Sequence, residues 1–204
     1  FSFHDYRNYA SSERFGYLLD LVKTAVSQNG SKKLLVFTSI GKDMNASASD
    51  SGQAMAVMKR LTLASSYGAD MVLWWCFKDV PGKDRLNSHS GLLYKNSKPK
   101  SAYYYFAEIV RRLKGSDAVN RINIKDGIYI FKVERQQGPL FILWSESGRQ
   151  DLSFNSDAYR VKIGRLEENI FFTQNLRSKN GNFDLSIESN PIFLEGPSEL
   201  KLSN

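Results

Sequence analysis

Lys32-Lys33-Leu34-Leu35-Val36-Phe37-Thr38-Ser39-Ile40-Gly41 is the stretch whose reading decides the fold. Its apolar run lacks the polar alternation of a half-solvated strand, so it reads as a strand buried on both faces, as in a parallel sheet. The small polar step Thr38-Ser39 and then Gly41 form the kind of exit by which a barrel strand hands the chain to a functional loop.

Working outward, Phe1-Ser2-Phe3-His4-Asp5-Tyr6 reads as an earlier strand already under way at the first residue, with no secretory leader legible before it. A helix is expected from near Ser12, with Phe15, Leu18, Leu19, Val22 and Val26 at helical spacing and Asn29-Gly30 as its terminator. Downstream, a Ser/Asn/Asp-rich loop from Asp43 to Ser51 leads into a helix capped by Asp50 or Ser51. Ala54, Val57, Met58, Leu61 and Ala64 make its apolar face, and Tyr67-Gly68 stops it. The apolar run Ala69-Asp70-Met71-Val72-Leu73-Trp74-Trp75-Cys76-Phe77-Lys78-Asp79 reads as a further strand. After a polar loop, Ala102 to Leu113 reads as a helix with Phe106, Ile109, Val110 and Leu113 inward, closed by Gly115. Strand and helix in alternation imply parallel strands joined by right-handed crossovers.

Beyond residue 115 the helical signal stops. Short apolar or alternating runs follow at Arg121–Ile124, Ile128–Val133, Leu140–Trp144, Leu152–Phe154, Tyr159–Ile163, Ile170–Thr173, Phe183–Ile187 and Ile192–Leu194. Asp126-Gly127, Gly138-Pro139, Ser147-Gly148 and Asn180-Gly181 punctuate them as turns. Two domains are therefore expected: 1–115 of α/β type and 116–204 as a small antiparallel β-sandwich.

Composition narrows the function classes. With 204 residues, 42% of them hydrophobic, the chain has ample material for a packed core. The net charge of +7 comes from 28 basic residues scattered in ones and twos, with no basic stripe interleaved with aromatics, so no nucleic-acid partner is expected. The longest apolar stretch, Met71 to Phe77, is far short of a membrane span. Cys76 is alone, which excludes an intrachain disulfide, and is expected to pack as a small apolar residue in its strand. Two histidines and one cysteine give no metal-ligand spacing, and no phosphate-binding glycine loop occurs, so no metal or cofactor is expected.

The order from Leu34 onward resembles the last strands of a clan A glycoside hydrolase barrel. There a strand ending Thr-Glu-x-Gly carries the nucleophile, and the closing strand carries a tryptophan ahead of a "Gly-Leu…Lys-Pro-x-x-Tyr" segment. The counterpart of that segment here is Gly91-Leu92-Leu93-Tyr94-Lys95-Asn96-Ser97-Lys98-Pro99-Lys100-Ser101-Ala102-Tyr103-Tyr104. The later runs Tyr129-Ile130-Phe131, Phe141-Ile142-Leu143-Trp144 and Asn190-Pro191-Ile192-Phe193-Leu194 are similar to the accessory β-domain that follows many such barrels. A closed barrel needs eight strands in about 250 residues. The resemblance therefore implies only the last three strand–helix units, with the earlier strands absent or supplied by another chain.

Retention in that family needs two carboxyl groups about 5–5.5 Å apart, a nucleophile and an acid/base. The acid/base would lie on a strand outside this chain, and Ser39 stands where the nucleophile glutamate is expected. A serine hydroxyl without an adjacent base is a poor nucleophile toward an acetal, so the chain alone is expected to be inactive. A natural pseudoenzyme and a deliberate nucleophile replacement both fit Ser39, a mismatch to the motif would explain it too, and simple capping of the next turn is the bland reading. Asp43, farther into the loop, is the nearest carboxylate.

The resemblance further implies Trp75 as a platform for a sugar ring, with Trp74 turned to the outer helices by strand alternation. His4 and Tyr6 match a His-x-Tyr strand end whose tyrosine would hydrogen-bond the nucleophile, and Asp79 could contact sugar hydroxyls. Lys78, Asp84, Arg85 and His89, in the same loop region, carry no stronger claim. The expected ligand is an oligo- or polysaccharide of β-linked type, and that substrate class favours an extracellular or periplasmic setting. A non-catalytic carbohydrate-binding or scaffolding protein that kept the fold is the alternative.

Overall fold

A computed structural model describes residues 2–5 (as backbone), 11–28, 34–41, 50–80, 89–167 and 169–203. The chain forms two compact units, Phe1–Arg112 and Leu113–Asn204.

In the first unit β1 (Ser2–Asp5), β2 (Val36–Ile40) and β3 (Met71–Trp74) lie parallel in that order. Between them run α1 (Ser12–Ser27) and α2 (Asp50–Ser66). Ser11 caps α1, its Oγ accepting from the Arg14 N–H at 3.3 Å, and Phe15 and Leu19 are buried. The helix closes at Gln28, whose N–H donates to the Thr24 carbonyl at 3.0 Å; the expected terminator Asn29-Gly30 lies outside the described residues. All five apolar positions expected inward on α2 are buried, and with them Gln53, Arg60 and Thr62.

Both later strands of this sheet are shorter than their apolar runs. Leu34 is exposed and Val36 half-buried, so the run before Phe37 is not sheathed on both faces. What aligns the strands is Asp70, whose carboxylate accepts from the Leu35 N–H at 2.7 Å while its own N–H donates to the Leu35 carbonyl at 2.9 Å. Cys76 lies beyond the end of β3, half-buried, and its thiol donates to the Lys78 carbonyl at 3.0 Å rather than packing within a strand.

Helix α3 (Ser101–Leu113) follows. Its inward stripe is Ala102, Tyr105, Ile109 and Arg112, spaced three and four apart, which leaves Val110 exposed although its apolarity suggested otherwise. Arg112 can lie inward because its Nε donates to Glu108 Oε1 at 2.7 Å, one turn earlier.

The second unit is all strands: β4 (Ala118–Ile122), β5 (Ile128–Glu134), β6 (Leu140–Ser145), β7 (Gln150–Asn155), β8 (Arg160–Glu167), β9 (Ile170–Arg177), β10 (Asn182–Ile187), β11 (Ile192–Glu195) and β12 (Lys201–Leu202). They form a six-stranded sheet ordered β4-β5-β6-β11-β8-β9 and a three-stranded sheet ordered β10-β7-β12, both antiparallel. Ile130, Phe141, Leu143, Val161, Ile163 and Leu194 of the larger sheet share one core with Phe154, Phe183, Leu185 and Ile187 of the smaller. The opposite face of β5 and β6 is buried as well: Trp144 stacks between Tyr129 and Phe131 at centroid distances of 5.2 and 5.1 Å. That double burial explains why both strands read as continuous apolar runs despite antiparallel pairing. The glycines of the four expected turns, Gly127, Gly138, Gly148 and Gly181, all have positive φ. The first strand begins at Ala118 rather than Arg121, and the two-residue β12 was not expected at all.

Candidate functional site

The C-terminal end of β2 is irregular in a way that matters. Across β1 and β2, Phe3 pairs with Phe37 but His4 with Ser39; across β2 and β3, Phe37 pairs with Val72 but Ile40 with Trp74. In both pairings β2 carries one residue more than its neighbour over the Thr38-Ser39 step, which is a β-bulge. Bulges re-aim the side chains that follow and cluster beside functional sites.

Ser39 sits at this bulge, 2% exposed, and its buried Oγ has no hydrogen-bond partner among the described residues. The turn that Ser39 would cap lies at residues 42–49, outside the described residues. Just beyond, the Trp75 N–H donates to the Ile40 carbonyl at 2.8 Å, and the Arg60 guanidinium donates to the Gly41 carbonyl. Only glycine fits at 41, because a Cβ there would lie 2.4 Å from the Trp75 carbonyl oxygen. Arg60 is held from behind by Phe15, its guanidinium 5.5 Å from the ring centroid. The strand exit, the tryptophan backbone and a buried arginine are thus one locked junction.

Trp75 is 44% exposed, and its alternate neighbours Met71 and Leu73 are exposed too, so one side of β3 presents an apolar stripe. Trp74 is half-buried, with Nε1 buried and without a partner among the described residues. The peptide bond between Trp75 and Cys76 is cis. Burial, followed by the charge of Asp79, pushes the Cys76 thiol above its ordinary pKa, which leaves it protonated and unreactive at neutral pH.

Asp79, expected among groups that contact a sugar, is 4% exposed. Its Oδ1 accepts from Lys100 Nζ at 2.8 Å and from the Gly91 N–H at 2.9 Å. Lys100 Nζ also donates to the His89 carbonyl at 3.0 Å, and Gln53 Nε2 donates to the Gly91 carbonyl at 3.3 Å. A buried pair satisfied in this way is costly to break from one side, about 3–5 kcal/mol, because the surviving charge is stranded. Its structural effect is to fasten the segment 89–100 against the end of β3. His89 itself is exposed, its Nδ1 3.9 Å from Asp79 Oδ2. Lys78 Nζ donates to Ser97 Oγ at 2.9 Å. Tyr94 donates to the Asp50 carboxylate, and that bond, aided by burial, pushes its phenol up to about 12.

His4 lies in β1, register-paired with Ser39. Tyr6, Asp43, Asp84 and Arg85 fall outside the described residues. The structure thus brings Ser39 and Trp75 to one strand end, places the backbone of His4 beside them, and turns Asp79 inward. Sequence reasoning missed Arg60, Gln53 and Lys100. For the first two a signal existed: polar residues recurring at i and i+7 on the apolar face of a helix.

No protein-family model matches the chain, and no curated protein matches it. Solved structures do. A family 39 glycoside hydrolase from the gut symbiont Bacteroides cellulosilyticus WH2 is 17% identical with a TM-score of 0.68, over 89% of this chain and 37% of its own. A GH30 endoxylanase from Clostridium papyrosolvens C71 is 13% identical with a TM-score of 0.58, over 85% of this chain and 44% of its own. A glucosidase from Croceicoccus marinus is 9% identical with a TM-score of 0.60, over 95% of this chain and 52% of its own. The shared property is the fold: this mixed α/β, sheet-rich chain has the fold of part of a glycoside hydrolase. It spans between about a third and a half of the length of those proteins.

Proposed function

We propose that the chain is a glycosidase-like protein whose first unit is the last three strand–helix units of a (β/α)8 barrel and whose second unit is the β-sandwich that accompanies it. The ligand is a β-linked oligo- or polysaccharide. Ser39 occupies the nucleophile position of a retaining site, and Trp75 is the platform under a sugar ring. The observation that carries this reading is the junction at the end of β2. A bulge delivers Ser39, Gly41 admits the Trp75 backbone, and the Trp75 side chain stays exposed at the same strand end. An aromatic face offers a pyranose the apolar contact its C–H groups need. Asp79 and Lys100 act by holding the loop beside that platform.

The absence of a carboxylate at position 39 favours one alternative, a non-catalytic carbohydrate-binding protein that kept the fold and lost the chemistry. Either version predicts a division of labour between the paired tryptophans. In a protein that also contains the preceding barrel strands, Trp75→Ala abolishes oligosaccharide binding measured by calorimetry with little change in melting. Trp74→Ala lowers stability by about 3 kcal/mol and leaves binding nearly intact. The reverse pattern, or a Trp75→Ala protein that still binds, removes the platform from the account.

A further inference from the structure

We propose a second saccharide-contacting site, located wholly in the second unit, that takes a neutral sugar residue; it rests on the carbohydrate reading above but not on Ser39 or Trp75. A cleft of about 270 Å³ is lined there by Arg149, Arg165, Glu167, Ser186, Glu188 and Asn190. The two guanidiniums are offset by the two carboxylates of the lining and by Asp151, which pairs with Arg149 and accepts from Ser186, so the cleft offers no surplus positive charge to an anion. Its lining holds both donors and acceptors, which suits hydroxyl groups, because each hydroxyl both donates and accepts.

Several of these groups are available. The Glu188 carboxylate makes no hydrogen bond or ion pair with the described residues. Arg165 Nη1 stands 3.6 Å from Glu167 Oε1, an ion pair too long to be a hydrogen bond. Others are set in place: Arg149 donates to Ser186 Oγ at 3.0 Å, and Asn190 Nδ2 donates to the Leu166 carbonyl at 2.8 Å, which fixes the amide orientation.

The register adds an apolar element beside the cleft. Leu143, Ile192, Arg165 and Phe172 are direct partners across β6, β11, β8 and β9, so their side chains share one face of the sheet. The first two are buried in the core and Arg165 is half-buried, but Phe172 is 47% exposed. At the edge strand β9 this face therefore ends in an open aromatic ring one strand from a guanidinium in the cleft. An exposed ring beside a neutral set of donors and acceptors matches the two sides of a pyranose, its C–H face and its hydroxyl rim.

The test is hydrogen–deuterium exchange of the full chain with xylohexaose, cellohexaose and maltohexaose in turn, and with inorganic sulfate as the anion control. At least one hexasaccharide should slow exchange in peptides covering residues 163–172 and 186–192. Phe172→Ala should weaken that protection about tenfold in ligand concentration with an unchanged melt, as an exposed residue allows. Trp75→Ala should leave it intact. Protection confined to peptides around residues 39–75, protection indifferent to Phe172→Ala, or protection given by sulfate and by no sugar each overturns this site alone. No protection anywhere with any of the three sugars overturns both this inference and the carbohydrate reading on which it rests.

Discussion

At the scale of single residues, Ser39 is a buried hydroxyl that makes no hydrogen bond with the described residues, at the end of β2. A hydroxyl that had been selected to cap a turn would contribute about 0.5–2 kcal/mol, and its removal would be felt. One left over from a longer, functional side chain contributes nothing and is even slightly costly to bury. Ser39→Ala is therefore expected to change the unfolding free energy by less than about 0.5 kcal/mol, or to raise it, in chemical denaturation. A loss of more than about 1 kcal/mol would favour the capping role.

Within single elements, the balance lies in buried polar pairs. Glu108 in α3 receives Arg111 Nη2 at 2.6 Å and Arg112 Nε at 2.7 Å. Burial alone would raise its pKa, but the two guanidiniums outweigh it and hold the carboxyl below the ordinary carboxylate range. A depressed folded-state pKa contributes stability above the unfolded value, and that contribution is lost as pH falls through the folded one. Glu108→Gln should thus cost about 1–2 kcal/mol at neutral pH. The gap between the two proteins should close as the pH drops below the usual carboxylate range. A gap that stays constant with pH would mean that packing, not charge, is what the substitution removes.

The same scale shows what the sequence made legible. Helical spacing placed the inner face of α2, and glycine-bearing turns placed most strands of the second unit, because both signals are local. The bulge at Thr38-Ser39 was not legible, since register depends on the neighbouring strands. Nor was the inward turn of Asp79, whose partner Lys100 lies 21 positions away. Trp75 was singled out by the resemblance to a closing barrel strand, but its exposure, shared with Met71 and Leu73, only the structure gives. Arg112 on the inner face of α3 displaced Val110 for a reason visible only as an ion pair.

For the whole molecule, Met71 and Leu73 of β3 and Trp75 just past its end form an exposed apolar stripe in a sheet whose outer described strands, β1 and β3, are both edges. Stripes of this kind bind other apolar surface. The purified chain should accordingly enhance and blue-shift the fluorescence of anilinonaphthalene sulfonate, and, on the proposed partial-barrel reading, the signal should fall when polypeptide carrying the remaining barrel strands is added. A chain that leaves the dye unaffected would show the stripe to be covered already. The central claim is that position 39 is the nucleophile site of a retaining glycosidase fold, and one measurement addresses it directly. In a protein that includes the preceding strands with their acid/base carboxylate, Ser39→Glu is treated with a 2-fluoro β-glycoside and its intact mass is recorded. The account predicts a covalent glycosyl adduct on residue 39, with turnover of an aryl β-glycoside that the serine protein lacks. A folded Ser39→Glu protein that shows neither adduct nor turnover would contradict it and leave the non-catalytic binding protein as the reading of this chain.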